Sequence, residues 1–161
     1  MKKILILVVA LATFGWANAQ SGELRVGANV GLPVGDASDL FSLNAGVNVS
    51  YLIPVVENLK VGGLAGYSTF FGKDVNGVKV DNIGYIPVAA TAQYTLLENL
   101  FVGTDLGYAI GIHPSGLKGG FLYQPKVGYQ SLDFEVYVGY FGINRENANL
   151  NAVTIGANFK L

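Results

Sequence analysis

The sequence predicts an all-β protein: an eight-stranded antiparallel up-and-down transmembrane β-barrel, preceded by a cleaved secretory signal peptide. Three observations carry this. First, the 161 residues are 51% hydrophobic and only 13% charged, with mean hydropathy +0.41. Yet beyond the N-terminal leader no apolar run approaches the ~18 residues a membrane-spanning helix needs. Second, apolar residues alternate with Gly, Asn, Ser and Thr, as they do when one face of a strand meets lipid and the other a lumen. Third, the alternating segments are joined by long and short connections in turn, the plan of a barrel with external loops and periplasmic turns.

The leader comes first. Lys2 and Lys3 precede an apolar core from Ile4 to Trp16, and Ala17-Asn18-Ala19 follows as a small-x-small cleavage site. Residues 1–19 are therefore predicted to be a signal peptide, with Gln20 opening a barrel domain over 20–161. The apolar core is too short for a transmembrane anchor. With no Cys in the sequence, a lipid-modified N-terminus is excluded, as are disulfide frameworks, thiolate metal sites and Cys nucleophiles. Removing Lys2 and Lys3 leaves 8 basic against 11 acidic residues, a net charge of −3. No basic cluster exists, which argues against a nucleic-acid partner. The only Trp leaves with the leader, so aromatic girdles must be built from Tyr and Phe.

Eight strands follow. The first is predicted over Leu24–Val34, with Leu24, Val26, Ala28, Val30 and Leu32 on its apolar face. The second covers Ser42–Ile53, with Leu43, Ala45, Val47, Val49, Tyr51 and Ile53 outward. The third covers Leu59–Phe71, with Leu59, Val61, Ala65, Tyr67 and Phe71 outward. The fourth covers Val80–Tyr94, with Ile86, Val88, Ala90, Ala92 and Tyr94 outward and Pro87, Thr91 and Gln93 inward. Pro87 cannot donate to a ladder, and a closed barrel has no free edge, so a bulge or a locally broken ladder is expected there. The fifth strand covers Leu100–Ile112, the sixth Gly120–Gln130, the seventh Asp133–Ile143 and the eighth Leu150–Leu161.

The connections read as loops at 35–39, 72–77 (with the Asn76-Gly77 turn dipeptide), 113–119 and 144–149. Tight turns are read at 54–58, 96–99 and Ser131-Leu132. Glu57-Asn58-Leu59 through Gly66-Tyr67 matches Glu98-Asn99-Leu100 through Gly107-Tyr108, a repeat at 41 residues. Turn and strand match in register, which points to a repeated hairpin.

The strands' Val, Ile and Leu fall mainly on the face assigned to lipid. The other face carries Gly, Asn, Ser, Thr and Gln with Arg25, Lys60, Asp105, Lys126, Glu135 and Lys160. A soluble barrel would need charges across its exterior, and 13% charged residues are too few. The interior of an eight-stranded barrel is just wide enough for side chains to fill it. Tyr85, Tyr137 and Phe141 are expected to cross a polar, filled lumen with no wide channel. With a two-residue turn at Ser131-Leu132, Gln130 would face Asp133 and Gly128 would face Glu135. Lys126 would then lie diagonal to Glu135, with Asp105 on the other neighbouring strand. An Asp105–Lys126–Glu135 network follows, best read as structural because an unpaired buried charge is costly. No phosphate loop, nucleotide fingerprint, carboxylate dyad or metal-ligand cluster is present, so no cofactor and no metal are expected.

The C-terminal segment carries a further pattern. Thr154-x-Gly156-x-x-Phe159-x-Leu161 resembles the C-terminal assembly signal of bacterial outer-membrane β-barrels, and the strand pattern over residues 20–161 resembles the small barrels of the OmpX, OmpA-barrel and OmpW types. The resemblance implies an integral outer-membrane protein with periplasmic termini. It implies contact with outer-membrane lipid and lipopolysaccharide, and handling by the barrel-assembly machinery through the last strand. An OmpW-like chain would carry small apolar molecules, whereas this lumen reads as polar. OmpA-type barrels often carry a periplasmic cell-wall domain, whereas this chain is expected to end with its eighth strand. His113-x-Ser115 is similar to a pair in lipid A 3-O-deacylases, which are also eight-stranded barrels. The likeness covers two residues, with Pro114 between them and no acid before Asp133 to orient the His, so a non-enzymatic polar loop is the expectation. The function expected is a structural or surface-interaction barrel with loops open to an extracellular partner. The alternative is a narrow pore or small-ligand transporter.

Overall fold

The computed structural model describes residues 22–75, 77–146 and 148–161. The predicted leader and its cleavage site lie outside the described residues, as does Asn76 of the turn dipeptide. Eight long strands close into one antiparallel barrel: β1 (Glu23–Val34), β2 (Phe41–Val56), β3 (Leu59–Gly72), β6 (Ile83–Leu97), β7 (Leu100–His113), β8 (Gly120–Gln130), β9 (Phe134–Arg145) and β10 (Ala148–Lys160). β4 (Asp74–Val75) and β5 (Val78–Lys79) form a short separate hairpin between β3 and β6. A five-residue helix, α1 (Asp36–Leu40), joins β1 to β2.

Each strand pairs with its sequence neighbour, and β1 closes on β10. Paired residues can be followed round the wall from Leu24 through Tyr51, Gly63, Ala90, Leu106, Tyr123, Gly142 and Asn151. The line returns to β1 at Val34, ten positions further along. That stagger tilts the strands, and with eight strands it leaves an interior only side chains can fill.

The exterior is as the alternation predicts. Val26, Val30, Val47, Val49, Val88, Leu106, Val127, Val138, Val153 and Ile155 are all exposed. An aromatic ring flanks this aliphatic band at each end. On the side of the chain termini it is formed by Tyr94, Tyr129, Phe134 and Phe159, and on the opposite side by Tyr67, Phe71, Tyr108, Phe121 and Tyr140. An apolar belt between two aromatic girdles is the exterior of a barrel immersed in a bilayer.

Three expectations need correction. The connection between β9 and β10 is not a loop over 144–149. The strands run on to pair Arg145 with Ala148, because polar residues beyond the membrane edge can still extend a ladder. The turn between β8 and β9 is longer than Ser131-Leu132, and Gln130 pairs with Glu135, not Asp133. The lumen, finally, is filled but only half polar. Pro87 breaks its ladder without a bulge of its own: β3 and β6 pair at Ala65–Val88 and again at Ser68–Tyr85, with no pairing between and no shift of register. A register shift against β7 lies nearby, at Gly84/Tyr85. Pro125 stands in a similar lapse, between the pairs Tyr123–Gly142 and Lys126–Gly139.

Candidate functional site: the lumen and its outer rim

The inward face of the barrel is divided along its axis. Toward the termini it holds charged and amide side chains, with Leu52 and Phe101 buried among them. Toward the loops it holds an apolar cluster of Phe41, Phe70, Ile83, Tyr85, Leu122, Phe141, Ile143 and Leu150. Phe70 packs edge-on to Phe41 at 5.7 Å between ring centroids and lies 6.2 Å from Phe141. α1 lies over this end and buries Ala37 in the same cluster. Tyr85, Tyr137 and Phe141 all point inward and are buried.

The charged half contains two networks. In the first, nearer the termini, Arg25 and Glu135 are both fully buried. Arg25 Nη1 donates to Glu135 Oε2 at 2.8 Å and to Gln93 Oε1 at 2.6 Å, and Arg25 Nε pairs with Glu23. Gln93 Nε2 donates to Glu135 Oε1 at 2.9 Å and to Gln130 Oε1 at 3.0 Å. Asn158 Nδ2 donates to Glu135 Oε2 at 3.2 Å. Lys60 bonds Glu23 at 2.9 Å at the half-exposed edge, and Lys160 stands 3.8 Å from Glu135. The second network lies deeper. Lys126 Nζ donates to both oxygens of Asp105, at 2.8 and 2.9 Å, and Thr91 Oγ1 donates to Asp105 Oδ1 at 2.8 Å.

Of the three residues expected to share one network, the structure brings together Asp105 and Lys126 and assigns Glu135 to Arg25. The longer β8–β9 turn is the reason. It sets Gly139, not Tyr137, opposite Lys126, so Lys126 and Glu135 lie too far apart along the wall. Arg25 was visible in the sequence as an inward charge. Its partnership was not, because Arg25 reaches across the lumen and strand pairing reports only adjacent neighbours.

The C-terminal pattern also acquires a geometry. Thr154 is fully buried, donates to the Gly139 carbonyl at 3.2 Å, and accepts from Gln124 Nε2 at 3.1 Å. Phe159 and Leu161 are exposed on the lipid side. Gly156 pairs with Tyr137, whose ring lies where a β-carbon on residue 156 would sit. The other side of this tyrosine faces the charge network, with Lys126 Nζ 5.5 Å from its ring centre. His113 and Ser115 are both exposed at the loop end. Among the described residues, neither makes a side-chain hydrogen bond to the other or to a carboxylate.

No sequence-family profile matches the chain, and no curated protein aligns with it. Solved structures do match its architecture. The outer-membrane protein Ail of Yersinia pestis in a phospholipid nanodisc is 17% identical, over 87% of this chain and 99% of that one, with TM-score 0.61. The N-terminal β-barrel domain of Pseudomonas aeruginosa OprF is 12% identical, over 86% and 97%, with TM-score 0.52. A transmembrane β-barrel designed de novo is 16% identical, over 88% and 98%, with TM-score 0.57. A designed barrel fits about as well as natural ones, so the likeness speaks to architecture and leaves the task to the residues. With its lipid-facing belt and closed eight-stranded wall, the chain is a transmembrane β-barrel of the outer-membrane type.

Proposed function

We propose that the protein is a closed barrel of the bacterial outer membrane, with periplasmic termini, acting as a structural and surface-interaction protein and not as an enzyme. One observation carries this reading: both halves of the lumen are filled. The cavity where the polar and apolar halves meet is only about 20 Å³, room for about one water. Above it the apolar cluster and α1 stop any aqueous path. The side presented to the exterior is then α1, the β4–β5 hairpin and the 114–119 loop. With Lys73, which joins β3 to the hairpin, these carry Asp36, Asp39, Asp74, Lys79 and Lys118, a mixed-charge rim available to an extracellular partner. Asp105, Lys126, Glu135 and Arg25 serve the wall's stability in this reading. Thr154, Gly156, Phe159 and Leu161 present the last strand to the assembly machinery.

The second reading, a narrow pore or small-ligand transporter, is favoured by one feature: a polar interior that runs from the terminal end to Asp105 and Lys126. Single-channel conductance in a planar bilayer separates the two. The closed barrel is expected to leave the membrane silent, in the parent and in Lys126→Ala alike. A steady conductance from correctly folded protein, altered by Lys126→Ala, would establish the pore.

A further inference from the structure

The outer end of the lumen is covered by a stretch of chain that stands between two joints. At one joint Gly35 has φ +62°, a conformation that favours glycine. A β-carbon there would meet nothing within 4 Å, so glycine serves the backbone and not the packing. At the other joint the β2–β3 ladder shifts register between Phe41–Gly72 and Leu43–Phe71, which leaves Ser42 as an extra residue. Between the joints lie α1 and Phe41. Of these residues only Ala37 and Phe41 are buried, and both belong to the apolar cluster that plugs the lumen.

Little else holds this stretch down. Apart from the Phe41–Gly72 pair, the hydrogen bonds that tie it to the rest of the barrel come, among the described residues, from Lys73. Lys73 N donates to Leu40 O at 2.8 Å, and Lys73 Nζ donates to Ser38 O at 2.8 Å. Lys73 is itself fastened to the chain leaving the β4–β5 hairpin. Val80 N donates to Lys73 O at 2.9 Å, and the neighbouring Gly72 N donates to Asn82 Oδ1 at 2.9 Å. A β-carbon on Gly72 would fall on the Val80 carbonyl, so glycine is what lets the two chains approach. Lys73 is therefore a clasp, with α1 on one side and the hairpin on the other.

We propose that residues 36–41 form a hinged lid over the outer half of the lumen, closed by Lys73 and worked through the β4–β5 hairpin. Turning about Gly35 and Ser42, the lid lifts Ala37 and Phe41 out of the cluster and uncovers Phe70, against which Phe41 packs. Hinges of this kind are a few loop or element-terminal residues that absorb the change in φ and ψ. The hairpin stands on the rim with Val78 69% exposed, so a partner seated there pulls on Lys73 and through it on α1. The inference rests on the closed-lumen reading above and gives its rim a moving part.

Thiol labelling tests the lid. The sequence has no Cys, so Ala37→Cys sets a single thiol beneath the lid, at a position 1% exposed. Ala109→Cys sets one on β7, in the same cluster but on a residue the lid does not carry. Each is treated with a water-soluble maleimide in phospholipid nanodiscs, with folding confirmed in the same sample by heat-dependent gel migration. A buried thiol reacts at a rate set by how often its cover opens. Lys73→Met keeps the stem and removes the Nζ bond. At Ala37→Cys it is expected to speed labelling about tenfold, the effect of losing one hydrogen bond made by a charged group. Asn82→Ala, which lies outside the lid, should speed it by a smaller factor. Ala109→Cys should react equally slowly in every background. An unchanged rate at Ala37→Cys with Lys73→Met, or an equal gain at Ala109→Cys, would overturn the lid. A gain from Lys73→Met with none from Asn82→Ala would overturn the hairpin's part in it. Either result leaves the closed barrel standing. Labelling of Ala37→Cys alone as fast as a free thiol would instead show the outer half open at rest, and would overturn both readings.

Discussion

Tyr137 joins two features that look unrelated in the sequence, the C-terminal pattern and the lumen charges. Its ring covers Gly156 on one side and faces Lys126 on the other. Gly156→Ala is expected to displace the ring and cost ~1–3 kcal/mol, the usual range for overpacking. Combining it with Tyr137→Ala should relieve the clash, giving a favourable coupling of at least ~1 kcal/mol in a double-mutant cycle read by urea unfolding in vesicles. Strictly additive effects would show that glycine is not seating the ring. The buried pair gives a second contrast. Asp105→Ala strands Lys126 inside the wall and is expected to cost ~3–5 kcal/mol, whereas Asp105→Leu with Lys126→Met should recover most of that loss. The same unfolding experiment reads both, and equal losses from the single and the double variant would contradict it. Asp105 and Lys126 were legible as inward charges because period-two alternation fixes the face of every strand residue. The partner of Glu135 was not legible, because two extra turn residues slide a whole strand past its neighbour.

At the scale of elements, the repeat at 41 residues has a structural meaning. Asn58 and Asn99 occupy matching turn positions, and each lends its carbonyl to a strand beyond its own hairpin. Thr95 N donates to Asn58 O at 2.8 Å, and Gln130 N donates to Asn99 O at 2.7 Å. The third turn continues the series, with Lys160 N donating to Asp133 O at 2.9 Å. Each turn is thus fastened to the strand that follows it round the wall. The amides of Thr95, Gln130 and Lys160 are expected to exchange with deuterium as slowly as mid-strand amides, although all three lie at the rim. Rapid exchange there, seen by NMR of the micelle-bound barrel, would show the fastening to be open in solution. The repeat itself was readable because turn and strand recur together. The bonds between successive turns were not, since they depend on the stagger of the closed barrel.

For the molecule as a whole, the eight strands and their faces were readable because lipid imposes an apolar exterior on every second residue. The division of the lumen was harder to see. Phe41, Phe70, Leu122, Ile143 and Leu150 face inward yet are apolar, so a rule that assigns apolar residues to lipid passes over them. That cluster, and not the ion pairs, closes the barrel toward the loops. Phe70→Ala with Phe141→Ala should therefore open the outer half and lower stability by several kcal/mol, as large-to-small core changes do at ~3–5 kcal/mol each. Bilayer recordings should find current in that variant and none in the parent, and continued silence in a folded sample would place the closure elsewhere. This division has a practical reach. Anyone wishing to convert the protein into a nanopore would drill from the loop end, through aromatic rings that carry no formal charge, and could leave the carboxylates and cations beneath in place as a ready-made filter for whatever ions pass.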